Sequence, residues 1–198
     1  MLSSAVRKYV NTYGVKCGNN ISIFSNNDDA YETAITLYNK GVKVKSIIDI
    51  REKSDGTLPK KCIELGIKIH WKSAVIYTEG YKKINKIHVM QLSKDNSSVI
   101  GRKLKIDCDL LCVSGGYTPA VHLFTQSGGK LDYDEKKHYF FPTKNTLSQI
   151  SIGSCNGTFG LKNIISESQE KTREFLNIKE VEQLSVLEPK SGDFENIW

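Results

Sequence analysis

The feature that most constrains this chain is a strand, a turn, a helix and a second strand that follow one another within thirty residues. Residues 21–24 form a short apolar run of the kind found in buried strands. Residues 30–40 then place Ala34 and Leu37 on one side of a helix, and residues 42–50 form a second apolar strand. In a unit of this length the crossover helix makes the two strands parallel. The chain is therefore predicted to be an α/β protein.

The segments around this unit show three kinds of pattern. Helical spacing predicts helices over residues 1–14, 58–66 and 158–176. Short alternating runs between turn residues predict an antiparallel insertion, with strands at residues 67–72, 74–77, 84–92 and 99–106. Buried strands are predicted at residues 109–114 and 150–153. Residues from 177 onward have the composition of a frayed tail.

Composition and charge exclude several functions. The net charge is +6, but 24 of the 28 basic residues are Lys and the four Arg residues are scattered, which predicts a solvated lysine surface and no nucleic-acid partner. The five cysteines show neither a CxxC motif nor histidine-paired metal spacing, so they are expected to be reduced thiols of a cytoplasmic protein with no metal site. No apolar run approaches the roughly 20 residues of a membrane span, and no membrane partner is expected.

The turn between the first strand and the first helix is where a dinucleotide fingerprint would stand. Its glycine positions are occupied here by Ser25, Asn27 and Ala30. Asn27 is expected to protrude toward a pyrophosphate, and Asp28 brings negative charge, so tight pyrophosphate binding is disfavoured. The alternative is that these polar residues cap the helix.

Asp49 and Arg51, at the end of the second strand, are the next candidates. An acid at this position commonly binds an adenine ribose hydroxyl, and Arg51 can stack on an adenine or pair with a 2′-phosphate; both can equally be surface residues. The strand at 109–114 runs into Gly115 and Gly116, a turn suited to close backbone approach by a nucleotide. A tight connection without a ligand is the alternative there. The four histidines form no triad-like arrangement, and no catalytic residue is predicted.

The order of these elements resembles the inserted NAD-binding domain of a two-dinucleotide-domain flavoprotein. More specifically, four segments resemble the alpha subunit of heterotetrameric sarcosine oxidase: residues 5–14, 24–31, 108–131 and 156–160. The resemblance runs from Ala5 to Leu176. The Asn-Asn-Asp loop at 26–28 and the run Val-His-Leu-Phe-Thr-Gln at 121–126 are its most specific parts.

This resemblance implies a Rossmann-like, three-layer NAD-binding domain with an antiparallel insertion, followed by the C-terminal part of an incomplete FAD-type domain. The implied boundaries are a connecting helix at 1–18, an NAD-binding-like domain at 19–118, the rest of a FAD/NAD(P)-binding domain at 119–177 and a tail at 178–198. NAD is the implied nucleotide. The implied contacts are the residues already named at the three strand ends, together with Gly153.

The activity implied is that of an oxidoreductase complex that demethylates sarcosine to glycine and transfers the one-carbon unit to tetrahydrofolate. FAD and FMN belong to the complete complex, and amine oxidation takes place on its beta subunit. The implied partners are the beta, gamma and delta subunits and the missing parts of the alpha subunit. The isolated chain is expected to be inactive.

Two departures from the family pattern bear on these expectations. The first dinucleotide fingerprint would lie upstream of Met1 and the folate domain beyond Trp198, so the chain looks like the middle of an alpha subunit. Ser154 stands where related flavoproteins place an acid that binds the flavin ribityl chain, which puts flavin binding at Gly153 in doubt. The alternatives are a non-catalytic Rossmann-like remnant and the alpha subunit of a related amine, opine or proline dehydrogenase.

Overall fold

The computed structural model describes residues 1–144, 147–178 and 184. These residues fall into two compact units, the first from Met1 to Gly116 and the second beginning at Tyr117. The predicted tail, residues 178–198, lies outside the described residues except at 178 and 184. No helix in the described ranges combines the length and apolar character that crossing a membrane requires.

The first unit contains three helices and seven strands among its described residues. The helices are α1 (Ser3–Tyr13), α2 (Asp29–Asn39) and α3 (Thr57–Glu64). The strands are β1 (Asn20–Ser25), β2 (Lys43–Asp49), β3 (Lys68–His70), β4 (Ser73–Gly80), β5 (Ile84–Leu92), β6 (Val99–Asp107) and β7 (Leu110–Ser114).

Four of these strands form a parallel sheet in the order β3-β2-β1-β7. The strand and helix bounds of the predicted βαβ unit agree with β1, α2 and β2 to within one residue. One prediction is wrong, because β3 pairs in parallel with β2 and is not part of the antiparallel insertion. The alternation at residues 67–72 is too short to distinguish the two kinds of pairing, whereas the crossover through α3 requires the parallel one.

The antiparallel sheet has the order β4-β5-β6 and covers one face of the parallel sheet. Ile87 and Val89 of β5 are buried there against Ile48 of β2. Helices α1 and α2 cover the opposite face, where Val6 and Leu37 pack in the larger core cluster. The result is three layers, and the predicted α/β class with a parallel sheet and an antiparallel insertion is confirmed.

Asp109 fixes the start of β1 against the start of β7. Its carboxylate accepts hydrogen bonds from the backbone amides of Asn19 and Asn20, at 2.9 and 2.8 Å. A Cβ atom at Gly18 would lie 2.8 Å from the Cβ of Leu110 and 2.9 Å from Asp109 Oδ1, so only glycine fits this approach without a shift. This acid is therefore a structural residue that sets the register of the two central strands.

The second unit holds α4 (His122–Gln126), a hairpin of β8 (Lys130–Asp134) and β9 (Tyr139–Lys144), a short 3-10 helix (Gly153–Asn156) and α5 (Leu161–Leu176). The strand predicted at 150–153 is wrong, because Gly153 opens the 3-10 helix with a φ of +67°. Helix α5 begins three residues later than the predicted start at 158. The hairpin is not among the predicted elements, although Tyr133 and Phe140 lie in alternating segments on either side of a charged turn.

Candidate functional site

The carboxyl ends of three neighbouring parallel strands form the candidate site. Strand β1 ends at Ser25, β2 at Asp49 and β7 at Ser114, and these three residues are aligned in the sheet register. Open parallel sheets bind ligands at this edge. Seven of the eight predicted cofactor-binding residues lie here: Ser25, Asn27, Asp28, Asp49, Arg51, Gly115 and Gly116.

Asn27 ties the loop after β1 to the end of β7. Its side-chain amide donates to the carbonyl of Ser114 at 3.0 Å, and its Oδ1 accepts from the Ser114 hydroxyl at 3.0 Å and from the amide of Asp29 at 3.1 Å. Only 3% of Asn27 is exposed, so the prediction that it protrudes toward a ligand is wrong. Asn27, and not the N-cap residue Asp28, supplies the side-chain bond to the start of α2.

Ser25 closes the same loop from within. Its hydroxyl donates to the carbonyl of Asn27 at 2.8 Å and accepts from the amide of Asn27 at 3.0 Å. These two bonds form a tight local turn in which the serine hydroxyl faces the backbone of Asn27. A left-handed glycine is not needed at this turn, because side-chain hydrogen bonds define its course.

Asp49 is fully buried at the end of β2. Its Oδ2 accepts from the hydroxyl of Tyr31 at 2.5 Å and from Arg51 Nη2 at 2.9 Å. Its Oδ1 accepts from the backbone amide of Arg51 at 2.9 Å and from Arg51 Nε at 3.1 Å. The alternative expectation that Asp49 and Arg51 are surface residues is therefore wrong, since they are 0% and 5% exposed.

Arg51 joins two acids across the loop and the sheet. Its Nη2 also donates to Asp28 Oδ1 at 2.7 Å, and the side chains of both partners are almost entirely buried. Burial by itself lowers the pKa of Arg51, but the hydrogen bonds and charge of Asp49 and Asp28 more than offset it and raise the pKa. Burial, followed by the charge of Asp49, raises the pKa of Tyr31, so its hydroxyl remains a neutral donor.

The glycine turn after β7 forms a different half of this edge. Gly115 and Gly116 are exposed, and a Cβ atom at Gly115 would meet no heavy atom within 4 Å. The Gly115 carbonyl accepts a bond of 3.3 Å from the side chain of Asn26. Gly116 has a φ of +102°, a conformation that favours glycine. Open space beside bare backbone is what close ligand approach requires, and ligand binding at these two glycines stays a prediction.

The ribose contact expected at Asp49 does not fit the geometry at the end of β2. Recognition of a ribose by Asp49 requires a carboxylate that faces the ligand, and both oxygens of Asp49 are engaged inside the protein. Asp28, the acid nearest the expected pyrophosphate position, is engaged by Arg51. Nucleotide binding by the predicted residues thus stays a prediction, and the geometry at Asp49 speaks against the expected ribose contact.

Gly153, the eighth predicted residue, lies in the second unit. Its backbone amide donates to Glu167 Oε2 at 2.8 Å, and the side chain of Asn156 donates to the other oxygen of Glu167 at 2.6 Å. A Cβ atom at Gly153 would lie 3.1 Å from Ile164 Cγ2. The glycine is therefore used for close packing and for an internal hydrogen bond, and these contacts provide no donor for a flavin.

The described residues contain no group of three or more His, Cys, Asp or Glu side chains that could hold a metal ion. All five cysteines are free thiols. Sequence reasoning missed Tyr31 and Ser114 as members of the polar network. Tyr31 lies in the first turn of α2 and Ser114 ends β7, but their partners lie 18 and 87 residues away in sequence.

No family model matches the chain. The sarcosine oxidase alpha subunit of Corynebacterium sp. (strain P-1) is 32% identical over 84% of this chain and 17% of its own length. The same subunit of Rhizobium meliloti (strain 1021) is 30% identical over 84% of this chain and 16% of its own length. This chain therefore spans about a fifth or less of the length of the curated relatives it matches.

Solved structures show the same fold. The thioredoxin reductase of T. acidophilum matches with a TM-score of 0.58 at 16% identity, over 89% of this chain and 55% of that one. The HOCl-induced flavoprotein disulfide reductase of Escherichia coli matches with a TM-score of 0.56 at 16% identity, over 81% of this chain and 36% of that one. At such identities the likeness concerns the fold alone.

Proposed function

We propose, from the premise that this chain is similar to a segment of sarcosine oxidase alpha subunits, that it is a docking segment of a sarcosine oxidase-type complex. The comparisons support an oxidoreductase segment, and the resemblance predicted from the sequence is confirmed. In the proposed complex, sarcosine is oxidised to glycine and its one-carbon unit passes to tetrahydrofolate. The similarity to alpha subunits over 84% of the chain is the observation that carries the proposal.

The second unit supports the docking role. It exposes many large apolar side chains for its size, and α5 has no fully buried residue. The most exposed of those in helices and strands are Leu123, Tyr133, Phe140, Leu161, Phe175 and Leu176. Exposed apolar side chains mark interaction sites in soluble proteins where they form a contiguous patch. We assign these side chains to contact with the other subunits or with the remaining parts of an alpha subunit, in the cytoplasm, and assign FAD and FMN to those partners.

Co-purification with the beta subunit of a sarcosine oxidase, a flavoprotein, tests the proposal. The two chains are expected to elute as one complex, and addition of this chain is expected to raise the rate of sarcosine oxidation by the flavoprotein. Proline and opines, tested under the same conditions, distinguish sarcosine from the substrates of related dehydrogenases. Separate elution together with an unchanged rate of sarcosine oxidation would reject the docking role.

The exposed apolar residues of α5 allow a matched pair of variants. Leu161→Ser combined with Phe175→Ser removes two exposed apolar side chains, which are 57% exposed each, without disturbing a packed core. Thr172→Ala changes an exposed polar residue of the same helix. Loss of two apolar contacts is expected to weaken the complex at least tenfold in the first variant only. Equal affinity for both variants would remove α5 from the interface.

A second candidate, a dinucleotide-type fold that binds no nucleotide, is favoured by the engagement of Asp49. This candidate is compatible with docking, because a docking segment needs the fold and not the ligand. Calorimetric titration with NAD and with ADP-ribose tests it. Saturable heat would reject it, and absence of heat up to millimolar ligand is the expected result.

A further inference from the structure

The geometry at the end of β2 points to a self-filled site, in which the Arg51 guanidinium takes the place that ribose hydroxyls would take beside an acid at a strand end. This inference goes beyond the docking role and does not depend on it. It concerns the network of Asp28, Tyr31, Asp49 and Arg51, which we call the Arg51 network.

The hydrogen-bonding capacity of the Asp49 carboxylate is filled by groups of the protein itself. An ionised carboxylate offers about four acceptor positions on its two oxygens. Here Oδ1 receives the amide and Nε of Arg51, and Oδ2 receives Nη2 of Arg51 and the Tyr31 hydroxyl. All four donors lie within 3.1 Å. A ribose hydroxyl can bind this acid only if one of these donors leaves.

Arg51 is held in place by several further contacts. Its Nη2, which also binds Asp49, donates to Asp28 at 2.7 Å, and its guanidinium carbon lies 5.9 Å from the centre of the Tyr31 ring. Its backbone carbonyl accepts from the amide of Lys72 at 2.9 Å, which fixes the chain after β2. Withdrawal of the guanidinium would take a positive charge away from two buried carboxylates, which strongly destabilises a protein.

Arg51 therefore acts as a permanent internal ligand of Asp49. Its planar fork matches the carboxylate of Asp49 as an external donor pair would, and it carries the positive charge that Asp28 also requires. Nucleotide binding at Asp49 is therefore blocked by the folded state itself. The glycine half of the edge, at Gly115, is outside this blockade.

Chemical rescue tests the inference in the full chain. Arg51→Ala removes the guanidinium and is expected to lower the melting temperature. Millimolar methylguanidinium is then expected to raise the melting temperature of this variant, because the planar cation re-enters the vacated space between the two acids. Methylammonium, which has the charge without the fork, is expected to be less effective. Arg102→Ala, at an exposed position of β6, is the control and is expected to respond to neither cation.

Two results would overturn the inference, and a third applies if Arg51→Ala does not fold. One is saturable binding of ADP-ribose to the unmodified chain that disappears in Asp49→Asn, since it would show that Asp49 is open to a ribose. The other is a melting temperature of Arg51→Ala equal to that of Arg102→Ala. If Arg51→Ala does not fold, Arg51→Lys replaces it, because lysine keeps the charge but cannot form the fork. A melting temperature of Arg51→Lys equal to that of the unmodified chain would likewise overturn the inference.

Discussion

Removal of one hydroxyl group, in Tyr31→Phe, isolates the contribution of a single donor to the Arg51 network. Tyr31 is fully buried, and its hydroxyl donates to Asp49 at 2.5 Å. The substitution leaves the ring in place, so the packing of the aromatic ring is preserved. Because the pKa of Tyr31 is raised, the hydroxyl stays protonated throughout the neutral range, and its loss removes a donor at every pH tested there.

The expected loss of unfolding free energy follows from the charge of the hydrogen-bond partner, Asp49. A hydrogen bond to a charged group contributes about 1.5–3 kcal/mol. Asp49 retains its bonds to Arg51 after the substitution, so its charge is not left unpaired and the loss falls in the lower part of that range. We expect the free energy of unfolding to fall by about 2 kcal/mol, roughly a 30-fold change in the unfolding equilibrium.

Urea unfolding followed by the fluorescence of Trp71 measures this change. The ring of Trp71 lies 6.1 Å from that of Tyr31, so its emission reports on this part of the first unit. The chain has two tryptophans, and Trp198→Phe makes Trp71 the single one. With a urea m-value of about 2 kcal/mol per molar, the midpoint is expected to move by about 1 M while the m-value is unchanged.

Tyr81→Phe is the matched control, because Tyr81 is 97% exposed. Its free energy of unfolding is expected to change by less than about 0.5 kcal/mol. If Tyr31→Phe gives a change as small as the control, the hydroxyl contributes nothing to the burial of the Asp49 carboxylate. The reasoning from four donors to a saturated acid would then be refuted.

Three further outcomes follow from other parts of the first unit and from the 3-10 helix. Burial raises the pKa of Cys112 to about 12, so a disulfide reagent at pH 8 is expected to modify exposed Cys155 in the folded chain and Cys112 only after unfolding, as mass spectrometry of peptides would show. Gly18→Ala is expected to cost about 1–3 kcal/mol by overpacking, whereas Gly115→Ala, with no atom in reach, is expected to be nearly neutral in the same urea assay. A hydrogen bond with His88 lowers the pKa of Glu79 below its ordinary value of 4.5. The contribution of Glu79 to stability is therefore full above pH 4.5 and is lost as the pH falls below that value. Glu79→Gln is expected to flatten the pH dependence of the melting temperature in this range, and an unchanged dependence would contradict this.

The parallel sheet could be predicted from the sequence because its signals are local. Apolar runs give β1 and β2, and helical spacing with a glycine stop gives α2, which together fix the parallel pairing. Strands β5 and β6 have nine residues each, long enough for runs bounded by turn residues to be recognised as part of an antiparallel sheet. Strand β3, with three residues, carries no such signal, and only the crossover through α3 determines its partner.

The position of the candidate site could also be predicted, but not which groups bind the carboxylate of Asp49. Strand ends place Asp49 beside the loop at Asn27, and this much follows from topology. Whether the acid faces a ligand or a side chain depends on Tyr31, which α2 brings to it from 18 residues away. It also depends on Arg51, which is bound in turn by Asp28 at the N-terminus of α2. A pattern read along the chain identifies candidate residues, whereas the pairing of buried charges is set by tertiary packing.

The half of the edge near β2 is filled by side chains of the protein, whereas the half near Gly115 is open. A dinucleotide fold needs its strand ends to be stable without the ligand, and in this chain the Arg51 network supplies the charge balance there through a side chain. That internal counter-charge makes the half near β2 independent of any cofactor. The half near Gly115 keeps bare backbone and open space, features that an internal counter-charge does not require. We therefore expect a ligand that meets this edge to contact the backbone of the glycine turn, with an affinity that is insensitive to the charge at Asp49.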